Sequence, residues 1–291
     1  MNNIYISSSC VRSSSVPYAV EILASEGFSH IELSGGGAYE EGLLQKLLTL
    51  QARYNLTLSA HNYFPPPKDG DFVLNLASLD SEIFTRSVAQ IESALRFSHA
   101  LGCGHFGFHA GFFLPLVPSE LGEPSGRQRL KIYDKRACIE QFIKGYKMIE
   151  TLAEELGITL YIENNVLSIA NAAHYGSKEL AMLLSFGDFV ELERRIACRL
   201  LLDVGHLQVS ARTLGLDFQA ELEQCLRVAD YLHLSDNNAL SDENAPLTKQ
   251  SAFLDSIITS HHKDRIYTLE IYRPIREIRQ SYELLQEGLA Q

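Results

Sequence analysis

Cysteine is sparse and unpaired in this sequence. The five residues Cys10, Cys103, Cys138, Cys198 and Cys225 include no Cys-x-x-Cys pair, and an odd, scattered set builds neither a disulfide framework nor a zinc ribbon. No apolar run approaches the ~18 residues that a membrane helix needs, and the start, MNNIYISSSC, has neither the basic region nor the apolar stretch of a secretion signal. A cytoplasmic protein with no membrane attachment is the expectation. Positive charge is short as well: the net charge is -11, so general attraction to a polyanion is not evident and nucleic acid is a disfavoured partner. No Pro/Gly/Ser-rich linker or low-complexity tract divides the chain, and PPP at 65–67 reads as a loop. The 291 residues, 46% hydrophobic and 21% charged, are therefore read as one globular domain over 1–291, large enough to bury a sizeable core.

What the sequence does contain is alternation. Short apolar runs ending in polar or glycine residues predict strands at 4–7, 30–34, 56–61, 105–110, 159–164, 199–204, 231–236 and 266–272. Between them the spacing turns helical. Phe84, Val88, Ile91 and Leu95 step by four, three and four, with Ser81 and Glu82 before them and Gly102 after. Asp134 opens a second long helix, with Ile139, Phe142, Tyr146, Ile149 and Ala153 on one side until Gly157, and Asp217 caps a third. Shorter helices fit 17–26, 41–53, 178–196, 250–261 and 275–288. Strands alternating with helices pair in parallel through crossovers. Eight such units predict an α/β fold, a (β/α)8 TIM barrel, with a doubly wound open sheet as the alternative. No GxGxxG follows the first strand.

Barrel enzymes place their chemistry at the carboxyl ends of the strands. From the third predicted strand to the eighth, those ends carry His61, His109, Glu163, Asp203 with His206 beyond it, His233 with Asp236, and Glu270. One histidine at a strand end is usually structural. An acid inside an apolar strand is harder to dismiss, because an unpaired buried carboxylate is costly, and Glu163 in LYIENN and Glu270 in YTLEIY sit there. Three carboxylates and several imidazoles in one cavity call for a compensating divalent cation. Glu163, Asp203, His233 and Glu270 are expected to hold it, and mixed carboxylate and imidazole ligands suit Mn²⁺, Zn²⁺, Co²⁺ or Mg²⁺.

The series SAHNYFPPP, FHAG, YIENN, LLDVGH, LHLSDNN and TLEIY resembles the xylose isomerase-like TIM-barrel superfamily. That superfamily includes sugar and sugar-phosphate isomerases and epimerases and also endonuclease IV. The resemblance spans nearly the whole chain. It implies that Glu163, Asp203, His233 and Glu270 are the ligands of a single divalent metal, as in ketose epimerases, with the two glutamates also shuttling the proton. His206, in the DxxH of strand six, resembles a substrate-binding residue. Against the endonuclease, His61 and His109 resemble ligands of a further zinc bridged by Glu163. One departure stands out: where family members commonly carry Asp-x-His, this chain reads SDENAPLTKQ, so Asp242 remains and Asn244 takes the histidine position. A neutral amide is a poor zinc ligand, which disfavours a complete three-zinc site.

The function expected is that of a metal-dependent isomerase or epimerase acting on a sugar, sugar phosphate or related polyhydroxy carbonyl compound. The cation would polarise the carbonyl, one glutamate would remove the adjacent proton to give an enediolate, and the other, or the same one, would return it. His206, Asn164 and Asn165 are expected to orient the substrate, with His61 and His109 in the same cavity. Tyr63, Phe64, Phe112 and Phe113 are expected as apolar walls. Arg127, Arg129 and Lys131, in the long segment after strand four, are offered either as a grip for a phosphate or as a solvated helix start. The alternatives are a nuclease for abasic DNA and a non-catalytic metal- or sugar-binding barrel. A homo-oligomer is compatible with the sequence.

Overall fold

In the computed structural model, residues 3–122 and 129–290 are described. The first half of the chain runs β1 (Asn3–Ser7), α1 (Val16–Ser25), β2 (His30–Leu33), α2 (Leu43–Tyr54), β3 (Thr57–His61), α3 (Ser81–Ala100), β4 (His105–His109) and α4 (Lys135–Leu156). The second half runs β5 (Thr159–Glu163), α5 (Ile169–Tyr175), α6 (Phe186–Glu193), β6 (Arg199–Asp203), α7 (Val204–Leu214) and α8 (Phe218–Leu226). It ends with β7 (Tyr231–Leu234), α9 (Leu254–Thr259), β8 (Ile266–Leu269) and α10 (Ile275–Leu289). The eight strands close in sequence order, and β1 pairs in parallel with β8 to seal the barrel. The (β/α)8 expectation holds.

Local chemistry sets the long helices. Asp80 accepts hydrogen bonds from the backbone of Glu82 and Ile83 to start α3, Asp134 accepts from Ala137 N to start α4, and Gly157, at φ 68°, ends it. The helix expected over 178–196 shrinks to Phe186–Glu193, capped by Ser185. Its first part, Leu180 to Leu184, is buried but not helical: Phe112 and Ala181 form an isolated antiparallel bridge, which pins this stretch beneath the loop after β4. The helix expected over 250–261 covers only Leu254–Thr259. Two helices were not expected. Ser168 caps α5, and Asp203 itself caps α7 by accepting from His206 N.

Strand side chains alternate between two faces. Ile6, Ile31, Ala60, Phe108, Ile162, Leu202, Leu232 and Leu269 join the large cluster between barrel and helices. Their neighbours face the barrel axis, which is polar for this fold. Tyr5, His105, Tyr161 and Tyr231 meet edge to face there, and above them lie Glu32, Ser59, Thr268 and His233, all fully buried. Gly107 marks the closest approach. A Cβ at that position would lie 2.5 Å from Leu201 Cδ1 and 3.2 Å from His61 Cδ2, so the missing side chain makes room for the His61 imidazole. Among the described residues, no helix is long and apolar enough to cross a membrane.

Candidate metal centre

Glu163, at the end of β5, is the hub of the barrel mouth. Its Oε2 lies 2.7 Å from His61 Nε2 and 3.2 Å from His109 Nδ1. Its Oε1 lies 3.6 Å from His233 Nδ1 and 3.7 Å from His206 Nδ1. Glu270 stands just past the end of β8. Its Oε1 accepts from Ser7 Oγ at 3.1 Å and Ser9 Oγ at 3.2 Å, which leaves Oε2 3.6 Å from His233 Nδ1. Asp203 joins from β6: it, Glu163 and His233 offer ligand atoms within 4.8 Å of one another. Glu163 and Glu270 thus approach His233 Nδ1, and Asp203 shares a set of possible ligand atoms with Glu163 and His233 but not with Glu270. His61, His109 and Glu163 form a second such set.

The donor set suits a divalent cation. Glu163 Oε1 and His233 Nδ1 are buried and have no hydrogen-bond partner among the described residues. They face each other beside two further carboxylates, an arrangement that is costly in a protein interior unless a positive charge sits among them. Electrostatics points the same way. Burial raises the Glu163 carboxyl, but the His109 and His61 imidazoles outweigh it and hold the group well below its usual range. Burial also opposes ionisation of Glu270, yet the nearby His233 ring holds that carboxyl down at about 2. Asp203 differs: burial, reinforced by Asp242 and Glu163 and opposed by His206, pushes it up to about 7. Burial pulls His109 down to about 4, against the opposing pull of Glu163.

A cavity of about 750 Å³ opens above these groups, reached by His61, His109, His206, Asp242, Glu270 and Tyr272. That is ample for a small polar ligand. His206 is held firmly: its backbone N–H donates to Asp203 Oδ1 at 2.7 Å, its Nδ1 lies 2.9 Å from the Asn164 carbonyl, and its Nε2 lies 3.4 Å from Asp242 Oδ2. Asn244 donates its amide to Asp242 at 3.1 Å. It therefore holds the acid in place where the superfamily motif has a histidine.

Several expected site residues have other tasks. Asn164 is not turned to the cavity, because its Nδ2 donates to the Asp203 carbonyl and its Oδ1 accepts from Asp203 N, tying β5 to β6. Asn165 donates to the carbonyls of Ala110 and Met182. Asp236 lies beyond the end of β7, pairs with Ala245 and accepts from Ser251 Oγ. Phe64 and Phe113 are buried in the core between barrel and helices and do not line the mouth cavity, whereas Tyr63 does. Phe112 lines a smaller adjoining cavity with His109 and His206. Arg129 and Lys131 are exposed and outside the residues lining the mouth; Arg127 lies outside the described residues.

The strand-end rule missed Glu32, Ser7, Ser9 and Tyr272. Glu32, in HIELS, is an acid inside an apolar strand, the same signal that marks Glu163. It lies inside β2 rather than past its end, against His233 Nε2 at 3.2 Å.

A closed parallel barrel with a carboxylate and imidazole cluster at its carboxyl mouth defines the class of protein. The chain belongs to the xylose isomerase-like TIM barrel family, whose model matches residues 20–287. No curated protein sequence matches it. Among solved structures it is similar to a D-tagatose 3-epimerase-like protein (18% identity, TM-score 0.74, covering 99% of this chain and 97% of that one). It is also similar to D-psicose 3-epimerase from Clostridium cellulolyticum H10, solved with D-tagatose (14%, 0.68, 99% and 99%), and to 3-keto-D-glucoside 4-epimerase from E. coli (13%, 0.67, 99% and 100%). At these identities the likeness establishes the fold.

Proposed function

We propose that this protein is a divalent-metal-dependent epimerase or isomerase of a sugar, sugar phosphate or related polyhydroxy carbonyl compound. The observation that carries the reading is the pair Glu163 and Glu270, each of which brings a carboxylate oxygen to 3.6 Å from His233 Nδ1. Two carboxylates aimed at one spot from separate strands can serve the two faces of a carbon whose proton is removed and returned. The names of the similar structures, sugar epimerases, agree with it.

Glu163, Asp203, His233 and Glu270 would hold the cation, which when bound polarises the substrate carbonyl and favours loss of the adjacent proton. Glu270, fixed by Ser7 and Ser9 through one oxygen, presents the other as the base that removes that proton and leaves an enediolate. Glu163, supplied with a proton by His61 Nε2 at 2.7 Å, gives that proton to the opposite face, while Glu270 releases the one it took to solvent. His206, rigid on α7, donates to a substrate hydroxyl. All five cysteines are free and buried, which agrees with a reducing cytoplasm.

A second reading has one specific observation in its favour. The His61, His109 and Glu163 set is placed for a second ion, as a phosphodiesterase of abasic DNA would require. Asn244 in place of a histidine and the net charge of -11 weigh against it.

One experiment separates the readings. Metal-loaded protein is incubated in deuterated water with a panel of ketoses and sugar phosphates, beside an abasic DNA duplex. Deuterium entering next to the carbonyl of one panel member is expected. Glu270→Gln keeps the size and an oxygen ligand but cannot take the proton, and should lower the exchange rate by roughly 10²–10⁴-fold without unfolding the protein. Strand cleavage with no exchange on any sugar would establish the phosphodiesterase instead.

A further inference from the structure

Glu32 is an ionisable side chain with no exposed surface, placed in the middle of the barrel rather than at its mouth. It sits on β2, between Ser7 of β1 and Ser59 of β3 in the register. Two contacts cross the interior to reach it. His233 Nε2 lies 3.2 Å from Oε1 and 3.3 Å from Oε2, and Thr268 Oγ1 donates to Oε2 at 3.0 Å. Lysine and arginine take no part in these contacts. His233 itself has no exposed surface, and its ring is packed edge to face against His61 and Tyr231.

The chemistry of an imidazole makes this consequential. A neutral histidine has one N–H and one lone pair, and the partner of one nitrogen decides the role of the other. A carboxylate accepts and cannot donate, so the nitrogen facing Glu32 is the one that carries the hydrogen. The lone pair is then on Nδ1, the atom 3.6 Å from Glu163 Oε1 and from Glu270 Oε2.

We propose that Glu32 is the positioning residue of the metal centre: it holds the Nε2 hydrogen of His233, and so keeps Nδ1 as a ligating lone pair aimed between Glu163 and Glu270. The proposal rests on the metal reading given above. Thr268 orients the Glu32 carboxylate, and the layer beneath, Tyr231 with His105, fixes the ring from below. A carboxylate behind a ligating histidine raises the basicity of the ligand and removes the freedom of the ring to turn, effects typically worth 10–100-fold in metal affinity.

Mn²⁺ binding is measured by calorimetry on wild type, Glu32→Gln and Thr268→Val. In parallel, ¹⁵N NMR of histidine-labelled protein reads which nitrogen of His233 carries hydrogen. Wild type is expected to bind Mn²⁺, with His233 protonated on Nε2 in the metal-free protein. Glu32→Gln is close in shape, and its affinity should fall by roughly 10–100-fold, with mixed protonation of the two His233 nitrogens. Thr268→Val, which leaves the carboxylate in place, should weaken binding less. It also keeps the question answerable if Glu32→Gln does not fold.

An unchanged dissociation constant and an unchanged His233 spectrum in both variants would overturn the role of Glu32 while leaving the metal reading standing. A wild type that takes up no Mn²⁺ overturns the metal reading and the proposal with it. Glu32, His61 and His233 also have ligand atoms within 4.8 Å of one another. Anomalous diffraction that places Mn²⁺ in bonding contact with Glu32 would therefore contradict the proposal, making that carboxylate a ligand.

Discussion

Asp203 shows how one side chain serves two levels of the structure. It offers a ligand atom to the cluster with Glu163 and His233, while Oδ1 accepts the His206 N–H at 2.7 Å and caps α7. The two tasks can be separated. Asn is as good a cap as Asp, so Asp203→Asn should lose metal affinity and keep the helix. Asp203→Ala should lose both, costing about 1 kcal/mol more in stability. Urea unfolding of the metal-free variants checks this, and equal stability of the two would show that the cap contributes nothing. At this scale most of the candidate site was legible, because a carboxylate or imidazole at the end of an apolar strand is conspicuous. Glu32 is also an acid in an apolar strand, but it lies inside β2, where a strand-end rule does not reach. The task of Asn164 is not legible, because sequence does not show that both ends of its amide are occupied by the backbone of Asp203.

The loops after β3 and β4 lean on one another at Gly111. A Cβ there would overlap Ala77 Cβ and stand 3.2 Å from Ala77 N, contacts that the backbone must yield to relieve. Asn75 locks the same junction: its Oδ1 accepts from Ala77 N and Phe112 N, and its Nδ2 donates to the Phe112 carbonyl. Gly111→Ala should therefore destabilise the protein by about 1–3 kcal/mol, read as a shift in the urea midpoint; an unchanged midpoint would show that the loops are not tightly seated. The polar run after β7 is explained at this scale too. Asp236 bonds Ser251, Asn237 donates to the Gly205 carbonyl at the start of α7, and Asn238 accepts from Leu240 N and Ser241 N. These residues build a loop, which is why Asp236 is no ligand. The alternation of strands and long helices was readable from periodicity. The stretch from Leu180 to Leu184 was not, since a wall of buried apolar residues without a period looks like part of a helix.

The whole molecule combines an apolar shell between barrel and helices with a polar axis, and the axis should make it sensitive to acid. His105 lies on that axis among Tyr5, Tyr161 and Tyr231, and burial pulls its pKa down from 6.5 to about 4. Between those values the unfolded chain binds a proton that the folded protein refuses. Stability from this group is thus complete above the unfolded pKa and is lost as pH falls toward 4, by roughly 3 kcal/mol in all. Unfolding free energies of wild type and His105→Gln in chelator, at pH 7.5 and 4.5, should show a smaller acid loss in the variant. The same slope in both would contradict the assignment.

The claim on which the rest depends is that Glu163, Asp203, His233 and Glu270 surround one divalent cation at the carboxyl mouth of the barrel. Diffraction from crystals soaked in Mn²⁺, recorded at the manganese edge, tests it directly. The expected result is an anomalous peak bounded by the side chains of those four residues, lost when Asp203 is replaced by Ala. No peak among them at saturating Mn²⁺, or a peak confined to residues elsewhere on the molecule, would contradict it.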